Sequence, residues 1–152
     1  MTLAHVAGSA AFYWAIAAEL LLVVWTGLLF LAPRWSGPGH DRWRFRLWAL
    51  GAALLAALVT LAGKTLEVWP GNPLFPSGHT AYAVTTAVFL VARDRRWLAA
   101  VVPLVGLQAI ALVLGDYHVP VDIVGGAAVG IAVGVGLCAW LRRAGARHIV
   151  TS

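Results

Sequence analysis

Charged residues are scarce in this sequence: they make up 11% of its 152 residues, compared with about 25% in an average soluble protein. Hydrophobic residues make up 61%. These two values exclude an ordinary soluble domain and indicate an integral membrane protein. Cysteine occurs once, at Cys138, which excludes a disulfide bond within the chain. Lysine also occurs once, at Lys64, so the other basic residues are ten arginines.

The net charge of +5 would fit a nucleic-acid-binding protein if the chain were soluble. The arginines instead lie in short segments between apolar runs, where arginine is a signal of membrane topology. We therefore expect no nucleic-acid partner. The length is that of one compact domain, residues 1–152.

Five apolar runs predict an all-α fold, an integral membrane bundle of about five transmembrane helices. The first run has the length of about 20 residues that a bilayer core requires, whereas the third is only about 20 Å long. The polar start of the third helix should therefore lie below the membrane surface, in a pocket open to the outer leaflet. The runs are Ala10–Leu31, Leu47–Gly63, Thr80–Val91, Trp97–Leu114 and Val119–Leu141.

The arginines indicate how these helices cross the membrane. Five crossings place all ten on one face, in the loop Pro33–Arg46, the turn Arg93–Arg96 and the tail from Arg142. Arginine-rich segments usually face the cytoplasm, which predicts an N-out/C-in protein of the cell (plasma) membrane. Lys64 and the loop Lys64–Ser77 then lie on the non-cytoplasmic face.

Two polar segments interrupt the apolar runs, and the predicted topology brings both to the non-cytoplasmic face. The first, Phe75–Thr80, reads Phe-Pro-Ser-Gly-His-Thr. Pro76 and Gly78 fit a loop that turns into a helix near Ser77, and the free N–H groups of a helix start bind anions. The Ser77 hydroxyl and the His79 imidazole lie beside that helix start.

The second segment, Gly115–Asp122, contains His118 and Asp122 four residues apart. At this spacing the carboxylate can bind one ring nitrogen and leave the other facing the pocket, which makes a nucleophilic or basic histidine. The alternatives are two polar residues that only satisfy each other, a structural His79 and a plain N-cap at Ser77. A functional role for these polar residues is favoured, because burying ionisable groups in a membrane costs free energy and the predicted topology places them together on one face.

A phosphate site accounts for more of these residues than a metal site. The expected ligands of the phosphoryl oxygens are the Lys64 ammonium group, the Ser77 hydroxyl and the Gly78 and His79 amides. His118 would be the nucleophile, and His79 the acid that protonates the leaving oxygen. A metal site built from the two histidines and the carboxylate is less favoured, because no tight ligand cluster supports it. We expect no metal and no other cofactor.

These motifs resemble those of the type 2 phosphatidic acid phosphatase superfamily, whose members are membrane-embedded, metal-independent lipid phosphatases. The family pattern is Lys-x6-Arg-Pro, Pro-Ser-Gly-His and Ser-Arg-x5-His-x3-Asp, and the resemblance covers about Lys64–Gly130. It implies that His118 forms a phosphohistidine, that Asp122 orients it and that His79 protonates the leaving alcohol. It also implies that the phosphoryl oxygens are held by Lys64, Ser77 and Gly78.

The sequence departs from the family pattern at both of its arginines. Gly71 and Asn72 occupy the Arg-Pro positions, and Ala111 and Leu112 occupy the Ser-Arg positions. Members of the family commonly have six spans, one more than the sequence predicts here. Candidate substitutes for the arginines are Asn72, the Trp69 indole N–H, the Tyr117 hydroxyl or an arginine of a partner protein.

We therefore predict metal-independent hydrolysis of a lipid phosphate or pyrophosphate in the outer leaflet, at the non-cytoplasmic face. Polyprenyl pyrophosphate, phosphatidic acid and phosphatidylglycerol phosphate all fit as substrates. One alternative is a phosphotransferase, in which a lipid or sugar hydroxyl replaces water. The other is a non-catalytic lipid-phosphate-binding membrane subunit, which the missing arginines favour.

The fifth run carries glycine at every fourth position, at Gly126, Gly130 and Gly134. Small residues at this spacing let two helices approach closely. Packing inside the bundle is the favoured use of this glycine face. A homo-oligomer through the same glycines is the alternative.

Overall fold

The computed structural model describes residues 3–31, 39–69 and 71–150, and these residues are mainly α-helical, without β-strands. A short 3-10 turn at Arg95–Trp97 precedes the fourth helix. The predicted all-α membrane bundle is confirmed. The helices in this part of the chain are α1 (Leu3–Leu31), α2 (Gly39–Thr65), α3 (Gly78–Arg93), α4 (Leu98–Leu114) and α5 (Pro120–Val150).

Four of the described helices are long and apolar enough to cross a membrane, which makes the chain a multi-pass membrane protein. The remaining helix, α3, has 16 residues and is about 24 Å long, shorter than a hydrocarbon core of about 30 Å. Most residues of α3 are buried, because it packs mainly between α2 and α5 in the centre of the bundle. The spans cover Ala10–Phe30, Trp43–Thr65, Arg95–Leu114 and Pro120–Ala144.

Consecutive helices alternate in direction, so that their arginine-rich ends lie together. Phe45, near the start of α2, packs against Phe89, near the end of α3, with ring centroids 5.7 Å apart. Arg93 of α3 and Arg142 of α5 line one cleft with these two rings. This end of the bundle is opposite to the end at which α2 finishes and α3 begins. The side of the membrane that each end faces stays a prediction.

Several helices extend beyond their predicted boundaries: α1 begins at Leu3 instead of Ala10, and α2 extends into an arginine-rich segment. The predicted loop Pro33–Arg46 is wrong in its second half, because α2 begins at Gly39 and includes three of the arginines. Arginine has a high helix propensity, and its long side chain can extend from a helix end to the membrane surface. The first half of that loop, residues 33–38, lies outside the described residues. Helix α3 is two residues longer at each end than predicted, and α5 continues beyond Leu141.

The glycine face of α5 packs against α3. A Cβ on Gly126 would overlap the Ser77 carbonyl oxygen, and one on Gly130 would lie 2.7 Å from the carbonyl oxygen of Ala81. A Cβ on Gly134 would lie 2.9 Å from Cβ of Val88, farther along α3. The predicted packing inside the bundle is confirmed. The homo-oligomer through these same three glycines stays a prediction, although α3 already covers this face.

Candidate active site

Ser77 caps the start of α3. Its Oγ accepts hydrogen bonds from the Thr80 N–H at 3.3 Å and from the Thr80 hydroxyl at 3.1 Å, and Ser77 is fully buried. Gly78 follows at the first helical position, where a Cβ would lie 3.1 Å from the Thr60 hydroxyl oxygen of α2. The predicted turn of a loop into a helix near Ser77 is confirmed. The role of the Ser77 hydroxyl as a phosphate ligand stays a prediction.

The segment Gly115–Val119 holds His118 at the end of α4. The Tyr117 and His118 N–H groups both donate to the Leu112 carbonyl oxygen, at 3.0 and 3.2 Å. Asp116 has a φ of 57°, in the left-handed region that turns the chain. His118 is only 7% exposed. The backbone that carries this imidazole is therefore tied to the last turn of α4.

Asp122, in the first turn of α5, is a fully buried carboxylate with three hydrogen-bond donors. Its Oδ2 accepts from His118 Nδ1 at 3.1 Å and from the Val119 N–H at 3.2 Å. Its Oδ1 accepts from Asn72 Nδ2 at 2.6 Å. An ionised carboxylate can only accept, so Nδ1 of His118 carries the proton and Nε2 is the nitrogen left for chemistry.

A backbone hydrogen bond joins the two polar segments. The Ser77 N–H donates to the Asp122 carbonyl oxygen at 2.9 Å. Gly126, one turn along α5, makes this approach possible, since a Cβ there would overlap the Ser77 carbonyl and lie 3.0 Å from Thr80 Cβ. The glycine face of α5 therefore sets the position of the α3 start relative to the carboxylate that holds His118.

A cavity of about 400 Å³ lies between α1, α2, α3 and the segment before α5. Lys64 and the imidazoles of His79 and His118 line it, with the ring centroids of the imidazoles 6.3 Å apart. The rest of the wall is largely apolar, and this combination suits an anionic group attached to a hydrocarbon chain. The remaining wall residues are Leu22, Ala57, Thr60, Leu61, Leu74, Gly78, Tyr82 and Tyr117.

The predicted auxiliary residues are divided between two cavities. Tyr117 lines the main cavity, and its ring centroid lies 5.8 Å from that of His79. Trp69 and Asn72 line a smaller cavity of about 190 Å³, which shares Lys64 with the larger one. The Asn72 amide is directed at the orienting carboxylate through the 2.6 Å hydrogen bond described above. Asn72 therefore holds Asp122 instead of extending into the main cavity.

The two positions that hold arginine in the motif pattern disfavour it here, one by its packing and the other by its backbone conformation. Leu112 is fully buried and packs against Ala18 and Leu21 of α1. Gly71 has a φ of 90°, which strains any residue with a Cβ. Among the described residues no arginine lines either cavity. Lys64 is thus the one lysine or arginine on the walls of these two cavities in this part of the chain.

His118 lies outside the membrane-spanning segments, and its surroundings favour the neutral imidazole. Burial has the largest effect and lowers the pKa of His118. The charges of Lys64 and His79 lower this pKa further, while the hydrogen bond and charge of Asp122 oppose the change. The net result is a pKa below the ordinary value. A lowered pKa leaves the Nε2 lone pair available at neutral pH.

Glu19 is a residue of this site that the sequence analysis missed. Its Oε1 lies 3.0 Å from His79 Nε2, and the contact joins α1 to the start of α3 across 60 positions of sequence. The sequence did carry a signal, because Glu19 is the one charged residue in the first span, Ala10–Phe30. An ionisable residue inside a membrane span is expensive and marks a functional site.

Comparisons with known proteins agree with these motifs. No curated protein and no solved structure matches the chain significantly. The family model of the PAP2 superfamily, the type 2 phosphatidic acid phosphatases, matches residues 60–146, which is more than half of the chain and includes both polar segments. The chain therefore belongs to the PAP2 superfamily.

Proposed function

We propose that the chain hydrolyses a lipid phosphate or pyrophosphate, without a metal, through a phosphohistidine at His118. Membership of the superfamily supports phosphatase activity on phosphate esters, which are commonly lipids. One observation carries the finer proposal: a single cavity contains Lys64, His79 and a His118 whose Nδ1 is held by a buried carboxylate.

The reaction begins when neutral His118 attacks phosphorus through Nε2. The N–P bond forms while the P–O bond to the leaving group breaks, and His79 gives its proton to the leaving oxygen. Asp122 stabilises the positive charge that develops on the His118 ring. Water then attacks the phosphohistidine and gives a proton to His79. The N–P bond breaks, inorganic phosphate leaves and both histidines return to their starting states.

The phosphoryl oxygens are bound by Lys64 and by the start of α3. The N-terminus of this 16-residue helix has a partial positive charge and free N–H groups at Gly78 and His79, both of which line the cavity. A hydrogen bond to a charged group contributes about 1.5–3 kcal/mol. Without the two motif arginines, we expect the chain to bind phosphate more weakly than a superfamily member that has them.

The hydrocarbon part of the substrate explains the apolar side of the cavity. Leu22 of α1, Leu61 of α2 and Leu74 of the loop lie beside the phosphate-binding groups. The cavity lies among helices that span the membrane, so a lipid can bring its phosphate to His118 while its chains remain in hydrocarbon. A soluble phosphate ester would leave these apolar side chains in contact with water.

The active site faces the non-cytoplasmic side of the plasma membrane in this proposal, because the arginine-rich end of the bundle faces the cytoplasm. Cysteines placed at Val68, which is 63% exposed, and at Arg96 test this orientation in a Cys138→Ala background. A membrane-impermeant thiol reagent should label the two from opposite sides. Labelling of both from the same side would contradict the proposed topology.

Phosphate release by the purified protein tests the proposed reaction. The substrates are polyprenyl pyrophosphate, phosphatidic acid and phosphatidylglycerol phosphate, each assayed in EDTA. We expect release from at least one of them by the wild type and none by His118→Ala. Loss of activity in EDTA that zinc restores would replace the proposal with a metal-dependent reaction. Tight lipid-phosphate binding without any release would instead support the non-catalytic binding subunit.

A further inference from the structure

Glu19 places a carboxylate where the first membrane span is otherwise apolar. It lies nine residues, or about 14 Å, from the start of the span Ala10–Phe30. A carboxylate at this depth is costly unless it is paired or hydrogen-bonded. Its partner is the imidazole of His79, and the residue lies outside the region 60–146 that the family model matches. The known motifs therefore assign it no role.

The contact places the His79 ring between Glu19 and the reaction cavity. Glu19 Oε1 is 3.0 Å from His79 Nε2, while the His79 side chain, 24% exposed, lines the cavity together with Tyr117 and His118. Glu19 itself does not line that cavity. A phosphate held between the two imidazoles would thus contact His79 and not the carboxylate.

We propose that Glu19 is the positioning residue of His79, holding the ring by its Nε2 so that the other ring nitrogen can donate a proton to the leaving oxygen. This inference rests on the proposed phosphatase reaction. A protonated imidazole carries two N–H groups, and the carboxylate accepts from the one on Nε2. The second proton remains free for the leaving oxygen. Water returns that proton when the phosphohistidine is hydrolysed, so His79 and Glu19 end the cycle unchanged.

Each of the two histidines donates a hydrogen bond to a carboxylate, but in the proposed reaction one acts as a nucleophile and the other as an acid. Asp122 accepts from Nδ1 of a buried His118, whose neutral form is the nucleophile. Glu19 accepts from Nε2 of a more exposed His79, whose charged form is the acid. The carboxylate comes from α5 in the first pair and from α1 in the second. Each histidine is thus oriented by a carboxylate from a helix other than α3.

The test compares two substrates that differ in their leaving group. A lipid phosphate leaves as an alkoxide and requires a proton, whereas p-nitrophenyl phosphate leaves as a stable phenolate and does not. General acid catalysis contributes about 10²–10⁴-fold, so Glu19→Gln should lower kcat/KM for the lipid phosphate about 100-fold and change kcat/KM for p-nitrophenyl phosphate less than about threefold. The ratio kcat/KM is compared because it reports the step that forms the phosphohistidine, in which the leaving groups differ, and not the later attack of water, which both substrates share. Glu67→Gln is the matched control, because Glu67 is the only other glutamate and is exposed.

A spectroscopic measurement makes the test independent of turnover. In protein labelled with ¹⁵N-histidine, the His79 Nε2-bound proton, assigned with His79→Ala, should give a hydrogen-bonded signal that shifts in Glu19→Gln and not in Glu67→Gln. An unshifted signal, or equal loss of activity on both substrates, would overturn the role of Glu19. A different result would contradict the phosphatase mechanism itself: phosphate release that persists in His118→Ala.

Discussion

Gly126→Ala should shift the catalytic groups relative to one another without replacing any of them. The residue lies on α5 one turn after Asp122, and an added Cβ would overlap the Ser77 carbonyl oxygen and approach Thr80 Cβ to 3.0 Å. Ser77 is also the residue whose N–H donates to the Asp122 carbonyl oxygen. One methyl group therefore acts on the contact that joins the start of α3 to the His118–Asp122 pair.

The size of the effect follows from that overlap. An ordinary carbon–oxygen contact is about 3.3 Å, so the start of α3 would have to move by roughly 1 Å. A displacement of about 1 Å at catalytic groups costs about 100-fold in rate. Overpacking of a buried contact also costs about 1–3 kcal/mol of stability. We therefore expect kcat for the lipid phosphate to fall about 100-fold in a protein that is still folded.

Phosphate release and thermal denaturation in detergent check this expectation together. Gly136→Ala is the matched control on the same helix, because an added Cβ there has nothing within 4 Å. Alanine is favoured over glycine in a helix by about 1 kcal/mol, so this control should be active and as stable as the wild type or slightly more so. Wild-type kcat in Gly126→Ala would refute the role assigned to the contact between α3 and α5.

The other predictions concern single side chains of the site. Because the pKa of His118 is lowered, kcat/KM should fall on the acid side only below the ordinary histidine value of about 6.5, and an acid limb centred above that value would contradict the neutral nucleophile. Lys64→Ala should weaken binding of a non-hydrolysable lipid phosphonate about 10- to 100-fold, and unchanged affinity would remove Lys64 from the phosphate site. Asn72→Ala should lower kcat about tenfold with little change in KM, because Asp122 loses its 2.6 Å donor; a change confined to KM would indicate a phosphate ligand instead. Leu112→Arg restores the family residue but buries a charge against α1, so activity and melting temperature should both fall, and a gain in hydrolysis would contradict the packing described here.

The parts of this molecule that could be predicted from sequence are those that short-range patterns determine. Long apolar runs predicted the helices, and Pro76, Ser77 and Gly78 predicted where α3 begins, because capping and turn formation depend on neighbours within a few residues. The i, i+4 spacing of His118 and Asp122 predicted their hydrogen bond for the same reason. Arginines were read as loop residues, although they extend α2, since charge alone does not distinguish a loop from a helix end.

The contacts that could not be predicted join residues far apart in the chain. Asn72 was one of the candidate substitutes for the missing arginines, but it donates to Asp122, 50 positions away. Glu19 contacts His79 across 60 positions, and only the packing of α1 against α3 brings the two together. The spacing of residues within one helix does not indicate which side chain of a neighbouring helix will contact them. A single charged residue in an apolar span is the available signal for such contacts.

Trapping of the covalent intermediate shows whether His118 attacks phosphorus. Protein mixed with a ³²P-labelled lipid phosphate in EDTA and quenched within one turnover should carry label that survives alkali and is lost in acid, as expected for a phosphorus–nitrogen bond. We expect this label in the wild type and its absence in His118→Ala. Phosphate release without any labelled protein, or label that persists in His118→Ala, would contradict it.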